Sequence, residues 1–282
     1  MQSNKLELVF ASKNKILEMK RNAEFRVLTI EGLESSQYTI NSIKSNQDGV
    51  IITSKKIEPR EIIITGDIKK NQNEDINRAN LISFFNPKLE GLLRVKRNNV
   101  EKKIAYTVSD FQFSNKKMSE WQQFKIELEC QDPYFESIDN FGKNIALITK
   151  QFAFPLAICP KKIMGFKTYN NNVLLLNDGD CETGCEIKIK AAGGKVTRPK
   201  VSLNDKFIAV NVEMELGDEL VINTNARRKS IILNGANIVN KIDRKSDFFS
   251  LEVGNNIMTY ESDEGYQDME IYVYFYKKYL GV

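Results

Sequence analysis

From Gln122 to Gln131 apolar and polar residues alternate without a break. Phe124, Ile126, Leu128 and Cys130 fall on one side of an extended chain, and Lys125, Glu127 and Glu129 on the other. A period of two marks a strand with one face in a core and one in water, the usual state of an antiparallel sheet. Such a strand is unstable alone, so this stretch commits the surrounding chain to a multi-stranded sheet.

Other segments supply the partners. Glu24–Ile30, Gly49–Thr53 and Arg60–Ile68 are rich in β-branched residues. Gly91–Lys96 and Lys103–Val108 flank the polar turn Arg97-Asn98-Asn99 and predict a hairpin. One segment has a different period. Asn73–Leu89 starts with an N-cap residue type, Asn73, followed by Glu74 and Asp75. Ile76, Ala79, Ile82 and Phe84 or Phe85 then recur at helical spacing, and Asn86-Pro87 ends the run because the residue before proline avoids the α region. The expectation is one helix of about three turns whose apolar stripe packs into the core.

Beyond Asp132-Pro133-Tyr134-Phe135 the pattern becomes irregular, which places a domain boundary between residues 135 and 145. The predicted domains are 1–140 and 141–282. In the second, Gly217–Asn223, Lys229–Leu233, Ser246–Val253 and Gln267–Tyr276 read as strands. Turn chemistry separates them at Asn170-Asn171-Asn172, Asp178-Gly179-Asp180, Gly193-Gly194, Asn234-Gly235 and Gly254-Asn255-Asn256. Asn234-Gly235 is the strongest two-residue hairpin signal in the chain. The predicted fold class is mainly β: an N-terminal β-domain with one α-helix, then a C-terminal β-sandwich.

The chain has no histidine. Triads built on imidazole, histidine metal ligands and imidazole acid–base chemistry are therefore excluded. Cys130 and Cys159 stand far apart in apolar contexts, and Cys181 and Cys185 form a C-x3-C pair without a matching second pair, so a zinc site is not expected. Glu213 with Glu215 and Asp263 with Glu264 are carboxylate pairs, but Glu213 and Glu215 alternate with Val212 and Met214 and are expected to face water. No Gly-rich phosphate loop occurs. No catalytic, cofactor-binding or metal-binding residue is assigned.

The net charge is +4 and close to even in both halves. Basic clusters (Lys102-Lys103, Lys116-Lys117, Lys161-Lys162, Arg227-Arg228-Lys229) mostly have acids nearby, so specific nucleic-acid binding is not expected. No apolar run approaches the length of a membrane helix, and the N-terminus lacks a signal-like apolar core. Tyr272, Tyr274 and Tyr276 fall on one face of a predicted strand. They read as a packing face; the alternative is a stacking platform for a sugar.

The order of these features resembles the distal tail proteins of long-tailed phages of Gram-positive hosts. The resembling segments are Phe25–Leu33, Asp48-Gly49, Pro59–Ile68, the helix Asn77–Asn86 with Pro87, Leu89 and Gly91-Leu92, and Cys130–Phe135. In the second half they are Gly217–Thr224, Ser230–Gly235, Ser246–Leu251 and Gly254-Asn255-Asn256. The resemblance implies a structural, non-enzymatic virion protein at the tail tip. Its N-terminal domain would build a ring, typically hexameric, and its C-terminal domain would be a galectin-like sandwich facing outward. The implied partners are other copies of itself, the tail tube protein, and a tail-associated lysin or a fibre or receptor-binding protein. DNA would pass through the ring without specific binding, and no cofactor or membrane is implied. The alternative is a carbohydrate-binding sandwich that contacts host cell-wall saccharides.

Overall fold

The computed structural model describes residues 6–13, 15–20, 23–34, 36–44, 48–69, 73–114, 121–146, 149–150, 165–166 and 172–282. Cys159, Lys116-Lys117, Lys161-Lys162 and Asn170-Asn171 lie outside them. The chain divides into two compact units, Met1–Ile138 with Lys278–Val282, and Asp139–Lys277.

The first unit holds β1 (Leu6–Ser12), β2 (Lys15–Met19), β3 (Phe25–Glu31), β4 (Tyr38–Lys44), β5 (Val50–Ile57) and β6 (Arg60–Ile68). Then follow α1 (Glu74–Phe84), β7 (Glu90–Arg97), β8 (Val100–Phe113), β9 (Gln123–Cys130) and β10 (Phe135–Ser137). The main sheet runs β2-β1-β7-β8-β9-β6-β3. Its two end strands approach each other where the Lys20 N–H donates to the Phe25 carbonyl at 3.3 Å, so the sheet wraps around its core. The strand β9 behaves as its alternation demands: Phe124, Ile126, Leu128 and Cys130 are buried, and β6 and β8 pair on either side. The predicted hairpin forms as β7 and β8, closed where Arg97 pairs with Val100 around a left-handed Asn98.

The helix forms where its acids and proline predict, but it is turned differently. Leu81 and Phe84, with Phe85 just beyond the last turn, enter the core, while Ile76 and Ile82 stay 61% and 52% exposed and Ala79 faces outward too. Two faces of this helix satisfy a 3.6-residue period, and the one carrying leucine and two phenylalanines removes more apolar area from water. Phe85 meets Phe10 edge-on at 5.3 Å, and Phe10 meets Tyr106 at 5.9 Å. The inward face also carries Asn77, whose buried Nδ2 has no hydrogen-bond partner among the described residues.

The second unit holds β11 (Phe141–Ala146), β12 (Thr149–Lys150), β13 (Gly165–Phe166), β14 (Asn172–Asn177), β15 (Glu186–Ala191), β16 (Val196–Thr197) and β17 (Lys200–Leu203). These are followed by β18 (Lys206–Ala209), β19 (Glu213–Met214), β20 (Glu219–Asn223), β21 (Ser230–Leu233), β22 (Ala236–Asn237), β23 (Gly254–Glu261) and β24 (Met269–Phe275). A sheet ordered β11-β24-β15-β20-β21-β22 and a sheet ordered β14-β23-β17-β18 share one apolar core. Ile187, Ile189, Ile222, Ile271 and Val273 come from the first sheet, and Leu175, Val201, Ile208, Met258 and Tyr260 from the second. This is a β-sandwich. The Asn234-Gly235 turn joins β21 to β22 with both residues at positive φ (49° and 84°), as a two-residue hairpin requires.

Two readings of this half change. Ser246–Val253 is an irregular segment rather than a strand; it bonds its neighbours at separate points, the Asp247 N–H to the Phe207 carbonyl of β18 and Leu251 in an isolated bridge to Thr183, although Phe249 and Leu251 are buried. Gly254-Asn255-Asn256 opens β23 instead of forming a free turn. There the buried Asn256 amide donates to the carbonyls of Glu252 and Gly254 and accepts from the Glu252 N–H, so the side chain supplies the bonds a strand partner would have supplied.

The last strand, β25 (Lys278–Tyr279), leaves the sandwich and pairs with β10 of the first unit, Tyr279 to Phe135 and Lys278 to Glu136. The sequence reading kept these residues with the second domain. A two-residue strand carries no periodicity to reveal its return.

Candidate functional site

The most heavily bonded side chain of the first unit is Arg60, at the start of β6 and only 1% exposed. Its Nε donates to the Pro133 carbonyl (2.8 Å), Nη1 to the Gly32 carbonyl (2.5 Å), and Nη2 to both Ser36 Oγ (2.7 Å) and the Leu280 carbonyl (2.5 Å). The Phe135 ring lies 4.9 Å from the guanidinium carbon. One planar fork thus binds the loop after β3, the turn before β10 and the C-terminal segment, a task a lysine cannot perform. Burial lowers the Arg60 pKa from its ordinary value, and carbonyl dipoles compensate the charge. Beside it, Lys102 donates to the Gly281 carbonyl at 2.7 Å, and Lys278 pairs with Asp132 at 3.0 Å. Alternation in β6 predicts that residue 60 shares a face with Ile62 and Ile64, but charge hides its burial from any hydropathy pattern.

No catalytic constellation forms among the residues weighed for one. Glu213 and Glu215 are exposed, and Glu213 pairs with Lys195 at 2.6 Å. Asp263 pairs with Arg198, which also binds Asp243. Cys130 and Cys185 are buried in separate cores, and burial pushes each thiol up to about 12. Cys181 is partly exposed, and Asn177 ties its carbonyl to the turn before it. No cluster of three potential metal ligands occurs among the described residues. No described helix is long and apolar enough to cross a membrane.

The tyrosine face lies on the outer side of β24. Tyr272 and Tyr274 are half-buried, with parallel rings (9°) whose centroids are 6.4 Å apart. That gap is too narrow for a sugar to enter between the rings, so a stacking platform would use their outer faces. Lys188 stands 5.6 Å from the Tyr274 ring, and Gly142 leaves room for that ring.

The unassigned surface is β4 and β5. Among the described residues these strands pair only with each other, and apart from Ile57 every residue in them is exposed. Tyr38, Ile40, Ile43, Val50, Ile51 and Ile52 all face solvent. Sequence reading detected β5 but attributed no surface to it, since an apolar strand is read as buried by default.

Two family models match the chain in order. The phage tail protein RIFT-related domain matches residues 17–130, and the siphovirus-type tail component, C-terminal domain, matches residues 178–279. Together they span well over half of the sequence. No curated protein matches it. Among solved structures, the chain is similar to the Dit protein of phage SPP1, described as a paradigm of the hub adsorption apparatus in phages infecting Gram-positive hosts. The TM-score is 0.69 at 13% identity, covering 97% of this chain and 99% of that one. It is also similar to a chain of the phage P2 baseplate in its activated conformation with calcium, with a TM-score of 0.56 at 11% identity and full coverage of both. The strontium form of that baseplate gives 0.56 at 12% identity, over 98% and 99% of the two chains. With both tail domains present in this order and the fold shared end to end, the chain belongs to the siphophage distal tail protein family.

Proposed function

We propose that this chain is a structural protein of the virion tail tip, a distal tail protein whose copies form a ring linking the tail tube to the baseplate. The observation that carries the reading is the succession of the two tail domains along one chain. The full-length likeness to a hub protein and to a baseplate component supports it. Its work is assembly, not catalysis, and a hexamer is the expected ring. The tail tube protein and a tail-associated lysin or receptor-binding protein are the expected neighbours. Galectin-like topology remains the expected class of the sandwich.

The test is co-expression with the tail tube protein of the same phage, read by negative-stain microscopy. Rings of this chain capping the tube ends are expected. A chain that never forms rings and never caps tubes overturns the reading. Titration with host cell-wall saccharides is expected to be flat, because the Tyr272 and Tyr274 rings face one another. Saturable binding lost in Tyr274→Ala would instead favour the carbohydrate-binding alternative.

A further inference from the structure

Among the described residues no further strand pairs with the ribbon β4–β5, and an isolated two-stranded hairpin is marginal in water. Its pairing, shifted by a bulge at Asn41/Ser42, sorts the side chains into two faces. Tyr38, Ile40, Val50 and Ile52 share one face, and Ile43 and Ile51, each 61% exposed, form a cross-strand pair on the other. The face carrying Tyr38, Ile40, Val50 and Ile52 is an exposed apolar surface of the kind that marks an interaction site. It is also basic. Lys44 and Lys55 share that face, whereas Lys56 lies on the opposite one, 4.0 Å from Glu58.

The same unit carries a surface of the opposite character. The outward face of α1 exposes Ile76, Ala79 and Ile82. Its first turn carries Glu74 and Asp75, its last turn has no basic residue, and neither acid is ion-paired among the described residues. Arg78, the helix's cation, is turned onto the Phe113 ring, 4.8 Å away. The ribbon face thus carries lysines and the first turn of the helix carries acids, while Lys15 donates to Ser83 at the helix's last turn (3.0 Å); neither apolar face has a partner element among the described residues.

We propose that the β4–β5 ribbon of one copy packs on the outward face of α1 in the next copy. Two different patches on one chain that complement each other make a head-to-tail contact, and such a contact closes into a ring when its rotation closes. This rests on the ring reading and adds the surfaces that hold the ring together. Lysines on the ribbon facing Glu74 and Asp75 set the register, and the isoleucines of both surfaces supply the buried area.

The test uses the full chain in two single variants, Ile52→Cys and Ile82→Cys, mixed before oxidation, with peptide mass spectrometry of the covalent dimers. Residues 52 and 82 are exposed, so neither change disturbs the core. A 52–82 disulfide formed between copies in the mixture, and in neither variant alone, is the expected result. In parallel, reversing Glu74 and Asp75 to lysine is expected to weaken self-association about tenfold. Reversing Lys44 and Lys55 to glutamate in the same chain is expected to restore it. Rings that form without a 52–82 link, and that ignore the charge reversal, overturn the ribbon–helix contact and leave the ring reading intact; a ribbon that seats another tail protein gives this outcome. A chain that forms no oligomer alone or with its tail tube protein overturns both.

Discussion

Arg60 Nη2 donates to the main-chain carbonyl of Leu280 at 2.5 Å, across 220 residues of sequence. The chain leaves the first unit, builds the sandwich, and returns to complete the hydrogen bonding of a charge buried in the unit it left. Two backbone pairs of β25 and the Val282 N–H donated to the Leu33 carbonyl reinforce the return.

Arg60→Met retains bulk but removes every donor, leaving the carbonyls of Gly32, Pro133 and Leu280 short of a partner. The expected loss is about 3 kcal/mol or more in the stability of the first unit. Trp121 is the one tryptophan and lies in that unit, so its fluorescence in urea reads this transition separately from the sandwich. Arg60→Lys is expected to recover little, because an ammonium cannot span the fork. Deleting Leu280–Val282 removes acceptors from Arg60 and Lys102 and should shift the same transition by about 1–3 kcal/mol.

The buried thiols report folding through pH. Cys130 and Cys185 are raised by burial from 9.0 to about 12. The folded state therefore keeps protons that the unfolded chain releases. Their contribution to stability is intact below about pH 9 and is lost as pH rises from there toward 12. At pH 8, iodoacetamide followed by peptide mapping should label Cys181 in the native protein and reach Cys130 and Cys185 only in denaturant. Fast native labelling of Cys185 would contradict its burial.

Asn177 is fully buried at the end of β14. Its Nδ2 donates to the carbonyls of Cys181 and Leu251, and its Oδ1 accepts from the Gly179 N–H. Asn177→Ala strands these three groups and should cost about 2 kcal/mol or more, measured by calorimetry on the sandwich transition. Asn177→Asp should be worse, because it replaces both donors with a buried charge.

Two glycines separate conformational strain from steric exclusion. Both have positive φ, 86° at Gly32 and 84° at Gly235. A Cβ on Gly32 would stand 2.0 Å from the Glu61 carbonyl oxygen, whereas one on Gly235 meets nothing within 4 Å. Gly235→Ala should cost about 1 kcal/mol. Gly32→Ala should abolish soluble expression, or lower the melting temperature far more than its counterpart does.

Local pattern by itself determined most of the elements. Alternation placed β9 and β24, β-branched density placed β6, and acids before an Asn-Pro stop placed α1. Asn234-Gly235 fixed its hairpin because only certain residues accept two successive left-handed conformations. The family was also legible, since it depends on the order of such signals. What only the tertiary structure decided is where each surface points and what it meets. Helical period left α1 two apolar faces, and the competition for buried area inside the sheet chose Leu81, Phe84 and Phe85 over Ile76 and Ile82. The burial of Arg60 depends on carbonyls brought together from residues 32, 133 and 280. The exposure of β4 and β5 follows from their pairing, among the described residues, with each other alone. Period and propensity are properties of neighbours in sequence, whereas burial is a property of neighbours in space, and here those neighbours lie up to 220 residues apart.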